Sequence, residues 1–74
     1  MTTTLDVRGL ICPLPVLRAN KALRGLGKGQ DLKVLATDPA APGDFRSFCE
    51  TAGHEMLGIE EADGVFAILV RKGG

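Results

Sequence analysis

The segment EMLGIEEADGVFAILVRK, residues 55–72, carries the clearest structural signal in the chain. Two runs rich in apolar residues flank the pair Asp63-Gly64, and both residues of that pair tolerate positive φ. Two-residue turns of this kind join antiparallel strands. The segment therefore predicts a β-hairpin at the end of the fold.

Upstream of the hairpin, the apolar spacing changes from a strand pattern to a helix pattern. Leu5 and Val7 alternate with polar residues, which is typical of a short strand, and Gly9 closes it. From Pro13 onward the apolar residues fall three and four positions apart, which predicts one buried face of a helix. That face comprises Val16, Ala19, Leu23 and Leu26, and Gly25 and Gly27 are expected to end the helix.

The middle of the chain repeats the strand-then-helix order. DLKVLAT, residues 31–37, predicts a strand buried mainly on one face, and TDPAAPGD, residues 37–44, predicts a turn. A second helix follows, capped by Gly53, with an apolar face of Phe45, Phe48, Cys49 and Ala52. The predicted order is β-α-β-α-β-β in one domain over residues 1–74, an α/β (α+β) two-layer sandwich.

Composition excludes several classes of protein. The 74 residues hold nine Lys+Arg against nine Asp+Glu, so direct nucleic-acid binding through phosphate neutralisation is not expected. No segment has the length and apolarity of a membrane span or a signal peptide, so we expect a cytoplasmic protein. Two cysteines allow one disulfide at most, and the thiols are expected to be reduced in that compartment.

RGLICPLPVL, residues 8–17, places Cys12 directly before two prolines. A proline loses nothing in the first turn of a helix, because the amides there have no partner inside the helix. Pro13 and Pro15 are thus expected to fix a helix start beside Cys12. The positive end of the helix would then favour the thiolate by about 0.3–1 kcal/mol at an exposed site.

Cationic side chains near the thiol would add to this effect, and the candidates are Arg8, Arg18 and Lys21. The alternative interpretation of Cys12, that it is a small buried apolar residue, stays open on the residues alone. No second cysteine lies at Cys-x-x-Cys spacing, so a thioredoxin-like dithiol is not favoured.

Three other features have ordinary structural explanations. Cys49 lies on the apolar face of the second helix and is expected to be buried. His54 follows the Gly53 stop, where an imidazolium would favour the helix C-terminus. Asp38-Pro39 is typical of a turn. Cys12, Cys49 and His54 do not form a recognisable ligand set, so neither a metal nor a cofactor is expected.

LDVRGLICPLPVLRANKAL, residues 5–23, resembles the signature of TusA/SirA-type sulfur carrier proteins, and the resemblance extends over essentially the whole chain. It implies a mixed four-stranded sheet of order 1-2-4-3 with two helices on one face. It also implies that Cys12 bears a persulfide, making the protein a carrier rather than a turnover enzyme. The motif residues that would support this cysteine are Asp6, Arg8, Gly9, Pro13 and Pro15.

Whether Asp6 and Arg8 orient the Cys12 loop or form a solvated pair stays open. The resemblance implies protein partners for a monomeric carrier: a sulfur donor, either a cysteine desulfurase or a rhodanese-like sulfurtransferase, and a downstream acceptor. The pathways it implies are tRNA thiolation, cofactor sulfuration and sulfur oxidation. Since both partners must reach the same sulfur, Cys12 is expected on a convex rim, with contacts from Leu10, Ile11, Leu14, Arg18 and Lys21.

Two alternatives compete with this interpretation. The chain ends in Gly73-Gly74, as ubiquitin-like sulfur carriers do, but those proteins have a β-β-α-β order, so a frayed polar terminus is expected instead. A regulatory or RNA-binding module is the other alternative, because the element order resembles the C-terminal domain of a bacterial translation initiation factor. Neutral net charge and sparse aromatic residues count against it, and it leaves Cys12 unexplained.

Overall fold

The computed structural model describes residues 2–73, and its elements follow the predicted order. They are β1 (Thr2–Asp6), α1 (Leu14–Arg24), β2 (Asp31–Ala36), α2 (Ala41–Ala52), β3 (Glu55–Ala62) and β4 (Val65–Arg71). Among the described residues, no helix has the length and apolar character needed to cross a bilayer.

The four strands form one mixed sheet of order β1-β2-β4-β3, which confirms the predicted fold class. β1 and β2 are parallel, whereas β4 runs antiparallel to both β2 and β3. The parallel pair requires a crossover connection, and α1 provides it. Because β1 and β2 point the same way, the loops that follow them leave the sheet at the same edge.

The core lies between the sheet and the two helices, which cover one of its faces. In β2, Leu32, Val34 and Ala36 are fully buried while Lys33 is exposed, as the alternating pattern predicts. The helices contribute small and large apolar side chains to the same cluster: Ala19, Leu23, Ala41, Phe45 and Cys49.

The terminal hairpin matches its sequence signal. Asp63 has φ 52° and Gly64 has φ 77°, so both turn residues adopt the left-handed region that a two-residue turn of this type requires. Ala62 pairs with Val65 on either side of the turn.

The first strand lies earlier in the chain than predicted. It begins at Thr2 and ends at Asp6, because the threonines pair along β2 although they are exposed. Val7 continues the pairing, since its N–H donates to the Leu35 carbonyl at 2.8 Å, and its side chain is buried. The chain then turns, with Gly9 at φ 82°.

The end of α1 and the start of α2 also differ from the sequence prediction. α1 ends at Arg24 with Gly25 as its cap, so Leu26 follows the helix and packs only partly against the core. α2 begins at Ala41, inside the segment predicted as a turn. Pro42 lies in the first turn of that helix, where the missing N–H costs nothing.

The carboxyl terminus was expected to be frayed, but Lys72 and Gly73 are held by hydrogen bonds. Lys72 donates its N–H to the Gln30 carbonyl at 2.9 Å and its Nζ to the Leu26 carbonyl at 2.7 Å. The Gly73 N–H donates to Nδ1 of His54 at 3.1 Å. These bonds tie the terminus to the loop before β2 and to the start of β3; Gly74 lies outside the described residues.

Two leucines of α1 provide a test of this packing. Leu23 is 1% exposed and Leu17 is 56% exposed. Leu23→Ala is expected to lower the free energy of unfolding by about 2–5 kcal/mol, because it leaves a cavity in the core. Leu17→Ala on the same helix is expected to change it by less than about 0.5 kcal/mol. Urea denaturation followed by circular dichroism measures both, and equal losses would contradict the assignment of the buried face.

Candidate functional site

Cys12 lies in the loop between β1 and α1, immediately before the helix, and its side chain is exposed. Pro13 is the N-cap residue of α1 and Pro15 lies at the second helical position. The structure thus places both prolines at the helix start, as predicted. Pro15 is also buried, so it contributes to packing as well as to the helix start.

Two hydrogen bonds join the loop that bears Cys12 to the loop that follows β2. The Cys12 N–H donates to Oδ2 of Asp38 at 2.7 Å, and the Gly9 N–H donates to Oγ1 of Thr37 at 2.9 Å. These contacts exist because the parallel strands β1 and β2 bring both loops to one edge of the sheet. They fix the backbone position of Cys12 from outside its own helix.

Asp38 has two roles, of which the sequence indicated one. Its Oδ1 accepts the Ala40 N–H at 3.1 Å, which is the turn expected at Asp38-Pro39. Its second oxygen accepts the Cys12 N–H from the neighbouring loop. The only available signal for that second role was the implied parallel pairing of β1 with β2.

Cys12 lies on the rim of an open depression between α1 and α2. The depression has a volume of about 360 Å³, and its lining residues are Cys12, Pro13, Val16, Asp44, Ser47, Phe48 and Thr51. Asp44 is the one charged residue in this set, and its side chain is half-buried. The sequence pattern did not single out Asp44, Ser47 or Thr51 because they belong to a helix that follows Cys12 by about 30 positions.

The surroundings of Cys12 oppose the expected stabilisation of its thiolate. The pKa of the Cys12 thiol is raised, first by its side-chain hydrogen bond with Asp44, then by desolvation, and then by the negative charges of Asp44 and Asp38. A carboxylate beside a thiol disfavours the charged thiolate, which is the opposite of the helix field. These surroundings favour the protonated thiol of Cys12 over its thiolate.

The prolines explain why the helix field is weak here. The positive end of a helix consists of N–H groups without partners. Pro13 and Pro15 have no N–H, and the Leu14 N–H donates to the Ile11 carbonyl at 2.9 Å. Few free donors remain at the start of α1 to stabilise a thiolate.

Asp6 and Arg8 form a solvated pair, one of the two alternatives left open by the sequence. Nη2 of Arg8 lies 2.8 Å from Oδ2 of Asp6, with both side chains about half exposed. The hydrogen bonds from Arg8 lower the pKa of Asp6 to about 2. Because the Arg8 guanidinium faces Asp6, its charge does not offset the carboxylates beside Cys12.

An exposed apolar row extends from the cysteine along α1. Ile11 is 69% exposed, Leu14 is 40% exposed and Leu17 is 56% exposed. Arg18 and Lys21 line another depression, together with Leu5, Ala22 and Gly25. Among the predicted contact residues, Leu10 differs, because it is half-buried and packs against the core. Leu17 was not predicted.

The second cysteine and the histidine lie away from Cys12. Cys49 is 3% exposed, and burial raises the pKa of its thiol. The ring centroid of His54 lies 5.4 Å from that of Phe48. His54 Nδ1 accepts a hydrogen bond from the Gly73 N–H at 3.1 Å. Within residues 2–73, no group of three acidic, cysteine or histidine side chains is placed to hold a metal ion.

Fold and site together define a small α+β protein with one exposed cysteine at a helix start. The family model described as Sulfurtransferase TusA matches residues 3–72, and the chain belongs to that family.

Individual relatives cover nearly the whole chain. A protein of Neisseria meningitidis serogroup A is 57% identical over 68 residues, which is 92% of each chain. The sulfur carrier protein TusA of Allochromatium vinosum is 46% identical over 68 residues, covering 92% of this chain and 90% of its own. The crystal structure of a SirA-like protein from Desulfitobacterium hafniense matches with TM-score 0.84 and 33% identity over 100% of both chains.

Removal of the Asp38 carboxylate tests the link between the two loops. Asp38→Ala removes the acceptor for the N–H groups of Cys12 and Ala40. Hydrogen exchange of these two amides is expected to accelerate by roughly two- to tenfold, since one hydrogen bond contributes about 0.5–1.5 kcal/mol. Glu50→Ala, at an exposed position of α2, is the control and should leave both rates unchanged. Unchanged exchange in Asp38→Ala would contradict the proposed restraint on Cys12.

Proposed function

We propose that this protein is a sulfur carrier that accepts sulfane sulfur as a persulfide on Cys12 and transfers it to a downstream protein. The observation that carries the proposal is that Cys12 is exposed at an open depression. The start of α1 and the hydrogen bond to Asp38 hold its backbone in place. Cys49, by contrast, is buried in the core. Among the described residues, Cys12 is the thiol that a second protein can reach.

The reaction requires only sulfur chemistry. The Cys12 sulfur loses its proton and attacks the outer sulfur of a persulfide on the donor. A new S–S bond forms at Cys12, the S–S bond of the donor breaks, and the donor sulfur leaves as a thiolate that takes up a proton. Transfer to an acceptor cysteine reverses these roles. No electrons are gained or lost overall, so neither a cofactor nor a metal ion is needed for this exchange.

The surface around Cys12 suits contact with two successive partners. Because the depression beside Cys12 is open, a cysteine on another protein can approach the Cys12 sulfur. A deep cavity would prevent that approach. The apolar row of Ile11, Leu14 and Leu17 provides area that a protein partner would bury. We propose that Arg18 and Lys21 contribute to the same contact, opposite acidic groups of the partner.

The partners follow from the chemistry and from the family. The donor must present a persulfide, as a cysteine desulfurase or a rhodanese-like sulfurtransferase does, and the acceptor must present a cysteine. We propose that the chain works as a monomer in the cytoplasm, because an exposed free thiol persists in a reducing compartment. Relatives with high coverage bear the name sulfur carrier protein, which supports the role in general. The tRNA thiolation, cofactor sulfuration and sulfur oxidation pathways are the outlets proposed for the delivered sulfur.

Mass spectrometry of the intact protein tests the assignment of Cys12. After incubation with polysulfide, the protein is expected to gain the mass of a sulfur atom, which a reducing thiol removes. Cys12→Ser should abolish this gain, because it removes the accessible nucleophile. Cys49→Ser should retain it, provided that its thermal melt shows a folded protein.

Equal loss of loading in both variants would contradict a single carrier cysteine. Deletion of Gly73 and Gly74 belongs in the same assay, since a ubiquitin-like carrier would need the terminal carboxylate. Undiminished loading of the truncated protein excludes that alternative.

The apolar row predicts a difference between protein and small-molecule donors. Leu17→Ser is expected to slow loading from a persulfide-bearing cysteine desulfurase by about fivefold or more, the effect of losing one central contact of about 1 kcal/mol. Loading by polysulfide should be unchanged. Leu57→Ser alters an exposed leucine on β3 and is the matched control for both donors. Equal rates for Leu17→Ser and Leu57→Ser with the protein donor would show that the row is not the docking surface.

A further inference from the structure

Asp44 occupies an unusual position for a charged residue. It lines the same depression as Cys12, it is half-buried, and the other lining residues are uncharged. Neither of the two ion pairs found among residues 2–73 involves it. The first turn of α2 favours a carboxylate at this position. Because no cationic side chain within residues 2–73 forms an ion pair with it, its charge is left to act on Cys12.

The charges that act on the thiol are all negative. Asp38 follows β2 and holds the Cys12 N–H, and Asp44 comes from the first turn of α2. α1 has no acidic residue in its first turn, and its basic residues in the last turn are far along the helix. Arg8 is paired with Asp6. The groups facing Cys12 from the adjoining loop and helix are therefore the two carboxylates.

We propose that Asp44 is a latch on the carrier cysteine. Its carboxylate accepts the Cys12 thiol proton in a hydrogen bond and keeps the free carrier in the unreactive thiol form until a cationic side chain of the persulfide donor pairs with Asp44. This inference rests on the proposed sulfur-carrier function and adds a feature of the donor: a Lys or Arg beside its persulfide.

The latch opens by charge neutralisation. When the cation of the donor pairs with Asp44, the carboxylate no longer disfavours the thiolate, and the cation itself favours it. The Cys12 sulfur then releases its proton and forms the S–S bond with the outer sulfur of the donor. The donor S–S bond breaks, and the departing thiolate accepts a proton. Asp44 is a positioning residue in this scheme because it acts through Cys12 and does not touch the transferred sulfur.

A latch of this kind limits reactions with the wrong partner. The thiolate is the form that reacts with oxidants and electrophiles, and oxidation beyond the sulfenic acid is essentially irreversible. An exposed carrier cysteine that is held as a thiol in the absence of its donor avoids such losses. The donor supplies the activating charge at the moment when the sulfur is within reach.

The first experiment measures the pH profile of Cys12 alkylation by iodoacetamide, a neutral probe. It compares the parent with Asp44→Asn, Asp44→Glu and Glu50→Gln, all in a Cys49→Ala background verified by thermal melts. Asp44→Asn is expected to move the profile down by about one pH unit, the lower end of the effect of a nearby charge, because the site is exposed. Asp44→Glu should restore most of the parent profile. Glu50→Gln, an exposed acid on the same helix, should leave it unchanged.

The second experiment measures the preference of Cys12 for cationic reagents. Cystamine, 2-hydroxyethyl disulfide and dithiodiglycolate carry positive, neutral and negative groups beside the same S–S bond. The parent is expected to react in that order of decreasing rate. Asp44→Asn should reduce the ratio of the cystamine rate to the 2-hydroxyethyl disulfide rate by at least about threefold, a small part of the effect of one charge.

The outcomes separate the latch from the carrier function. An Asp44→Asn profile that coincides with the parent profile overturns the latch even when polysulfide loading of Cys12 succeeds. An unchanged ratio of the cystamine rate to the 2-hydroxyethyl disulfide rate in Asp44→Asn overturns it as well. Failure of the parent protein and of every variant to take up sulfur from polysulfide overturns the carrier function, whatever the alkylation profiles show.

Discussion

The hydrogen bond from the Cys12 N–H to the Asp38 carboxylate, 2.7 Å long, is the contact on which the site depends. It joins residues 26 positions apart, and it forms because β1 and β2 are parallel neighbours whose following loops leave the sheet at one edge. With Asp38 in place, α2 starts directly afterwards, and its first turn brings Asp44 to the thiol. This hydrogen bond thus helps to position Cys12, and the helix that follows Asp38 places the second carboxylate beside it.

The reactivity of Cys12 results from two opposing fields. The start of α1 favours a thiolate, but Pro13 and Pro15 have no N–H to donate. The N–H of Leu14 is already bonded to the Ile11 carbonyl. The carboxylates of Asp44 and Asp38 oppose the thiolate and raise the pKa of the thiol. The prolines therefore fix the position of Cys12 without activating it, and in the mechanism that we propose the donor protein supplies the activation. Such a division suits a carrier, which must be inert between two transfers.

Local patterns predicted the elements well because the determinants are local. The Asp63-Gly64 turn, the alternation of Leu32 to Ala36 and the helical spacing around Phe45 depend on residues close in sequence. Strand order depends on long-range pairing, and it came from the family resemblance. The electrostatics of Cys12 could not be predicted, because Asp44 belongs to another helix and nothing local links it to the cysteine. The terminus was predicted incorrectly for the same reason, since Lys72 and Gly73 bond to distant loops.

We infer that the carboxylates of Asp38 and Asp44 outweigh the field of α1 at Cys12. An NMR titration of the Cβ chemical shift of Cys12, in the free protein labelled at cysteine, tests it most directly. The reference is a blocked peptide of residues 8–17, which keeps the local sequence and removes Asp38 and Asp44. We expect the titration midpoint to lie at higher pH in the protein than in the peptide. A midpoint in the protein below that of the peptide would show that the helix field prevails over the two carboxylates and would contradict this inference.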